Sequence, residues 1–108
     1  MAILLIPEAR ADLRDALRYY RAINPPALGK RLAARLFEAF TAAIRGVEDM
    51  PFSRPEHPDI AGARFVLLRD FPYLAFYTVK GADVVIVSVE YATRDYVARV
   101  SERIAAAK

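Results

Sequence analysis

Residues 69–96, RDFPYLAFYTVKGADVVIVSVEYATRDY, decide the fold. Two runs, Tyr73–Val79 (YLAFYTV) and Val84–Tyr91 (VVIVSVEY), are rich in β-branched and aromatic residues and are parted by Lys80-Gly81-Ala82-Asp83. Apolar runs of that length around a glycine-bearing turn predict a β-hairpin. Val and Ile on both faces of the second run mark it as a central strand, covered on both sides. Just upstream, residues 63–69 alternate around Phe65, Val66, Leu67 and Leu68 and add a third strand, so the C-terminal half reads as an antiparallel meander.

Working towards the N-terminus, Met50–Gly62 carries Pro51, Pro55, Pro58, Ser53, Asp59 and Gly62, a loop composition. The lone His57 lies there and is expected to be an exposed loop residue without a role. Before it, about Pro26 to Glu48, the residues Leu32, Leu36, Phe40, Ala43, Ile44 and Val47 form a long apolar stripe at helical spacing. Asn24 is expected to cap that helix, with Pro25 in its first position. Between Glu8 and Ala22, Leu13, Ala16, Leu17 and Tyr20 fall on one helical face, while Arg10, Arg14, Arg18 and Arg21 form a stripe on another. Glu8 and Asp12 suit the N-terminal end of its dipole. Ala2–Ile6 reads as a short strand ended by Pro7. Thr93–Ala107, with Val97, Val100 and Ile104 in register, is expected to be a terminal helix or a loosely ordered tail.

The order strand, two helices, loop, three strands and tail is α+β: an antiparallel sheet with a helical hairpin on one face, the first strand joining an edge. The 108 residues suit one domain, 1–108, with 56% hydrophobic residues to fill its core. Two helices cover only one side of such a sheet. The second is left to the tail, to solvent or to a partner, and its uncovered part is expected to be a binding surface.

Composition excludes several classes of function. There is no Cys and only one His, which removes disulfides, thiolate chemistry and sulfur-based zinc sites, so no metal and no cofactor are expected. The apolar stretches Ala2–Ile6 and Val84–Val89 fall far short of the roughly 20 residues that cross a bilayer. With no export signature at the N-terminus, no membrane association and a cytoplasmic location are expected. The net charge of +3 is mild and evenly spread, and the cations are arginines except for Lys30, Lys80 and Lys108. It permits an anionic partner without demanding one.

PEARADLRDALRYY (Pro7–Tyr20) resembles the opening helix of the RelE/ParE superfamily, the toxins of bacterial type II toxin-antitoxin modules. RFVLLRDFPYLAFYTV, with Phe71-Pro72-Tyr73 and Tyr77, is similar to that family's central hairpin. Arg94-Asp95 stands where the family commonly has Arg-Asp after the last strand, and MPFSRPE lies where a loop of Pro, Gly and Arg is usual. The resemblance covers nearly the whole chain in order. It implies the fold just described and a toxin held inactive by a cognate antitoxin, ParD-like or similar, with operator DNA reached only through the antitoxin. The arginine stripe Arg10, Arg14, Arg18 and Arg21 is the expected antitoxin contact; Arg69, Tyr73, Arg94 and Asp95 are the expected target contacts. Arg94 and Asp95 have a plainer alternative, a local ion pair that fixes the tail.

Two targets follow from the resemblance. RelE-like members cut mRNA on the ribosome, which needs a base for the 2′-OH, cations for the phosphate and an acid for the leaving oxygen. Arg64, Arg69, Tyr73, Tyr77, Glu90, Tyr91 and Arg94 are the candidates for that work. The sequence departs from that branch: Tyr73 stands where an arginine is usual, EHPDIAGA replaces a basic loop, and Tyr91-Ala92-Thr93 replaces a segment carrying His. Arginine is also a poor base. ParE-like members poison DNA gyrase by protein contact, which needs no catalytic group, and that non-enzymatic reading is the one favoured.

Overall fold

In the computed structural model, which describes residues 2–107, the elements are β1 (Ile3–Leu5), α1 (Pro7–Arg21), α2 (Pro26–Asp49), β2 (Arg64–Leu67), β3 (Tyr73–Lys80), β4 (Asp83–Tyr91) and α3 (Val97–Ala107). The sheet order is β1-β4-β3-β2; β2, β3 and β4 are antiparallel neighbours, and β1 lies parallel to β4 at the edge. The fold is the α+β arrangement expected. β4 is central, with seven consecutive residues buried from Val84 to Glu90. Gly81 turns the β3–β4 hairpin at φ 61°, a left-handed conformation that glycine adopts without a Cβ clash.

The α1–α2 hairpin packs on one face of the sheet. Ala9, Leu13 and Ala16 of α1 and Leu36, Phe40 and Val47 of α2 meet Ala75 and Tyr77 of β3 and Val84, Ile86 and Val89 of β4. For the second face the structure selects the first of the covers the sequence allowed, the tail, and removes the expected open binding surface from that face. It is covered rather than open: Val100 and Ile104 of α3, with Ile60 and Ala63 from the loop before β2, pack on Leu74, Phe76, Val85 and Val87. Burying such side chains contributes about 25 cal/mol per Å² of apolar surface removed from water. The C-terminal segment is therefore a helix that completes a three-layer core.

His57 also differs from expectation. Its ring is half-buried against Phe65, Phe76 and Tyr96, with centroids 5.6, 5.8 and 5.7 Å away. The Asp59 backbone N–H donates to Nδ1 at 3.1 Å, so in the neutral ring Nε2 carries the proton and donates to the Tyr96 hydroxyl at 3.2 Å. His57 thus pins the loop to the start of α3. At the hairpin tip Asn24 does not cap α2. Pro25 occupies the N-cap with extended backbone and Pro26 takes the first helical position, because Leu28 and Gly29 N–H groups bond back to the Pro25 carbonyl.

The two helices meet closely at that tip. A Cβ on Gly29 would lie 2.5 Å from the backbone oxygens of both Arg21 and Ile23. Backbone cannot yield as a flexible side chain can. Gly29→Ala is expected to cost about 1–3 kcal/mol, the usual penalty of overpacking, read as a lower midpoint in urea denaturation.

Candidate functional site

The site grows from a mismatch in strand length. β1 pairs with β4 only through Ile86, with a last bond from the Ile6 N–H to the Ile86 carbonyl, whereas β4 continues to Tyr91. Among the described residues no strand lies beside the β4 edge beyond Ile86, and an unpaired buried peptide group costs about as much as a lost hydrogen bond. Side chains take over. Asp12 of α1 accepts from the Val89 N–H at 3.1 Å, and Arg103 of α3 donates to the Val87 carbonyl at 3.2 Å. The same two side chains pair with each other at 2.6 Å, both about 15% exposed.

A register slip between Phe76 and Tyr77 leaves Val87 without a partner on β3 and resets the alternation of β4. Ser88 and Glu90 consequently share the face towards α3, while Val89 packs in the α-hairpin core. Glu90 is 1% exposed and accepts from the Ser88 hydroxyl and from two nitrogens of Arg99. Ser88 in turn meets Asp12 and Arg103. Asp12, Ser88, Glu90, Arg99 and Arg103 form one continuous network joining α1, β4 and α3. The hydrogen bond to Glu90, more than any other influence, raises the pKa of Arg99.

Above this network lies an open cleft of about 420 Å³. One wall is α1, through Asp15, Ala16, Tyr19 and Tyr20; the other is the ends of β3 and β4 and the following turn, through Tyr73, Tyr91 and Arg94; Asp12, Val89, Glu90 and Arg99 close the base. Tyr19, Tyr20, Tyr73 and Tyr91 stand edge to face in sequence, with centroids 5.2, 6.3 and 5.4 Å apart. Each such pair contributes about 0.5–1.5 kcal/mol beyond area burial, so the four rings hold one another in place. Burial first, and the neighbouring tyrosines second, raise the hydroxyls of Tyr20 and Tyr73 above the ordinary phenol pKa. Arg94 opposes the shift at Tyr73 as its last and only lowering influence.

The structure separates the residues singled out in the sequence. Tyr73, Glu90, Tyr91 and Arg94 share the cleft. Arg64 and Tyr77 are cross-strand partners elsewhere. Tyr77 is fully buried in the α-hairpin core, its hydroxyl donating to the Pro51 carbonyl at 2.5 Å, and desolvation raises its pKa against the pull of Arg64 and Arg54. Arg64 donates to the Arg54 carbonyl at 2.6 Å and lies over the Phe52 ring at 5.3 Å, anchoring the proline-rich loop. Arg69 is exposed in the β2–β3 turn beside Asp70, whose φ of 68° tightens that turn. Arg94 and Asp95 are exposed and form no ion pair with each other among the described residues, so the local-pair alternative does not hold. Arg10, Arg14, Arg18 and Arg21 are all exposed along α1; among the described residues only Arg18 has an ion-pair partner, Asp15 at 3.6 Å.

The family model that matches the sequence, over residues 3–96, is the ParE toxin of the type II toxin-antitoxin system parDE. The chain belongs to the ParE toxin family. The fold is similar to that of a solved chain from the chromosomal ParDE toxin-antitoxin system of P. aeruginosa, with a TM-score of 0.68 at 18% identity over 84% of this chain and 95% of that one. At that identity the likeness is one of fold. No curated protein matches the sequence. Among the described residues no helix is long and apolar enough to cross a membrane.

Two outcomes follow from the site. Asp12→Ala leaves the Val89 N–H without its acceptor and takes from Arg103 its nearest carboxylate, with Glu90 remaining at 3.9 Å, and is expected to cost about 1–3 kcal/mol, measured by chemical denaturation. Alkaline titration of tyrosinate absorbance should show Tyr20, Tyr73 and Tyr77 ionising above the exposed phenols. Because their folded pKa values are raised, the stability they contribute is full below the unfolded value of about 10 and is lost as pH rises through the folded ones. A titration in which all six tyrosines ionise together at the ordinary value would contradict this.

Proposed function

We propose that this toxin acts by protein contact on DNA gyrase, and that a ParD-like antitoxin holds it inactive in the cytoplasm and carries the pair to operator DNA. The observation that carries this reading is the chemical state of the cleft. RNA cleavage without a metal needs a group that takes the 2′-OH proton. Here the tyrosine hydroxyls of Tyr20 and Tyr73 are pushed up, away from ionisation, and Glu90 and Asp12 are each engaged by an arginine and by further hydrogen bonds. Such groups bind well and abstract protons poorly. The aromatic rings and Arg94, which has no ion pair among the described residues, have the composition of a protein-binding hot spot, where Tyr and Arg are enriched.

Target contacts are assigned to Tyr73 and Arg94 in the cleft, with Arg69 and Asp95 on adjoining exposed turns. The antitoxin contact is assigned to Arg10, Arg14, Arg18 and Arg21, whose exposed guanidinium groups suit acidic side chains. Induced expression without antitoxin is expected to arrest growth with DNA damage and intact mRNA, and purified toxin should inhibit supercoiling by gyrase. Arg94→Glu should reduce that inhibition at least about tenfold, the effect of losing roughly 1.4 kcal/mol of contact. Rapid mRNA loss with gyrase unaffected would make the chain a ribosome-dependent nuclease instead, and normal growth would leave a family member that only binds its antitoxin.

A further inference from the structure

His57 is held in a way that only a neutral ring allows. Its Nδ1 accepts the Asp59 N–H at 3.1 Å while Nε2 donates to the Tyr96 hydroxyl at 3.2 Å, so the two nitrogens act in opposite senses and grip different elements. Around the ring the loop is folded on itself. The His57 N–H donates to the Ala63 carbonyl and the Ile60 N–H to the His57 carbonyl, and Ile60 and Ala63 are buried in one cluster with Val100 and Ile104 of α3. Tyr96 carries the other side of the contact: its ring packs on Phe76 at 5.0 Å, and its carbonyl accepts the Val100 N–H at the start of α3. Among the described residues the bond from His57 to Tyr96 is the one hydrogen bond that joins this loop to the segment from Ala92 to Ala107.

We propose that His57 is a proton-operated latch between the loop and α3. A charged ring carries N–H on both nitrogens, so Nδ1 would face the Asp59 N–H donor to donor at hydrogen-bond distance. The groups around the ring decide where it then goes. Phe65 of β2 and Phe76 of β3 offer it no charge, and Tyr96 of α3 offers a hydroxyl. Arg64 of β2 lies over Phe52, and Arg99 and Arg103 of α3 are engaged by Glu90 and Asp12. The carboxylates close in sequence are Glu56 and Asp59 in the loop and Asp95 beside Tyr96, all exposed. Protonation therefore removes a bond inside the slot and favours the ring outside it, beside those carboxylates. Its release frees the loop from Tyr96. Arg99 lies about one turn further along the chain and closes the base of the cleft through Glu90, so the latch and the cleft share the first turn of α3. The charge state of the loop is thereby transmitted to the cleft, whatever the target of the toxin.

The test is a nuclear magnetic resonance titration of the full-length toxin from about pH 8 to about pH 5, the range in which imidazoles change charge, following the His57 ring nitrogens and the backbone amides together. At the upper end Nε2 should carry the proton and Nδ1 none. On acidification the Asp59 amide proton should move upfield as it loses its acceptor, and the Tyr96 and Arg99 amides should shift with the same midpoint as the ring. His57→Gln should abolish these shifts. Tyr96→Phe keeps the ring on Phe76 and removes only the hydroxyl; it should retain the Asp59 shift and lose that of Arg99, and it carries the test by itself should His57→Gln fold poorly. A ring that titrates while the amides stay still, a ring that remains neutral throughout, or amide shifts that persist in His57→Gln would each overturn the inference. An Arg99 shift unchanged in Tyr96→Phe would overturn it as well, by removing the route from the loop to the cleft.

Discussion

The structure depends on the point at which β1 stops. A three-residue edge strand cannot accompany a nine-residue central strand, and past Ile86 the β4 backbone would lie unpaired beneath two helices. Asp12 and Arg103 resolve this from opposite sides by bonding to Val89 and Val87 and to each other. A strand in their place would have satisfied the same peptide groups, but it would have filled the space over β4 that is now the cleft. The short edge strand thus has two consequences: it needs a charged clamp, and it leaves an open cleft above that clamp.

That clamp also explains why α3 has to be where it is. Apolar contacts of Val100 and Ile104 with the sheet would tolerate some sliding, because hydrophobic burial is not directional. Arg99 and Arg103 add direction, since each must reach a carboxylate fixed on another element, Glu90 on β4 or Asp12 on α1. Replacing such a network with apolar side chains need not weaken a fold, as the desolvation of buried charges offsets much of their attraction. Its role here is better described as fixing register, because it aligns α1, β4 and α3 and so sets the positions of Tyr19, Tyr20, Tyr73 and Tyr91.

The sheet and the helical hairpin were legible in the sequence because periodicity reports which face of an element is apolar. Gly81 between two β-branched runs marked the β3–β4 turn, and the stripe Leu32-Leu36-Phe40 marked α2. The cover on the second face was not legible in the same way: Val97, Val100 and Ile104 are few and lie between alanines and charges, a pattern shared by a docked helix and a frayed tail. The clamp was harder still. Asp12 near the start of α1 suits the helix dipole wherever it points, and its partner lies 91 residues away. Only the lengths of the two apolar runs gave a usable signal, since a run of five residues beside one of eight implies a strand edge that something else must satisfy. His57 was misread because loop composition says nothing about which loop side chain folds inwards.

The family match ends at Tyr96, and both guanidinium groups of the clamp come after it, on α3. Up to that residue the fold holds two carboxylates, Asp12 at 16% and Glu90 at 1% exposure, whose cationic partners are supplied entirely by the last helix. Without α3, both charges would stand unneutralised at the base of the cleft, and its three lining carboxylates would face Arg94 as the one remaining cation of the lining. The neutralisation of the cleft's base is therefore conferred by α3, although the rings of the cleft all belong to α1, β3 and β4.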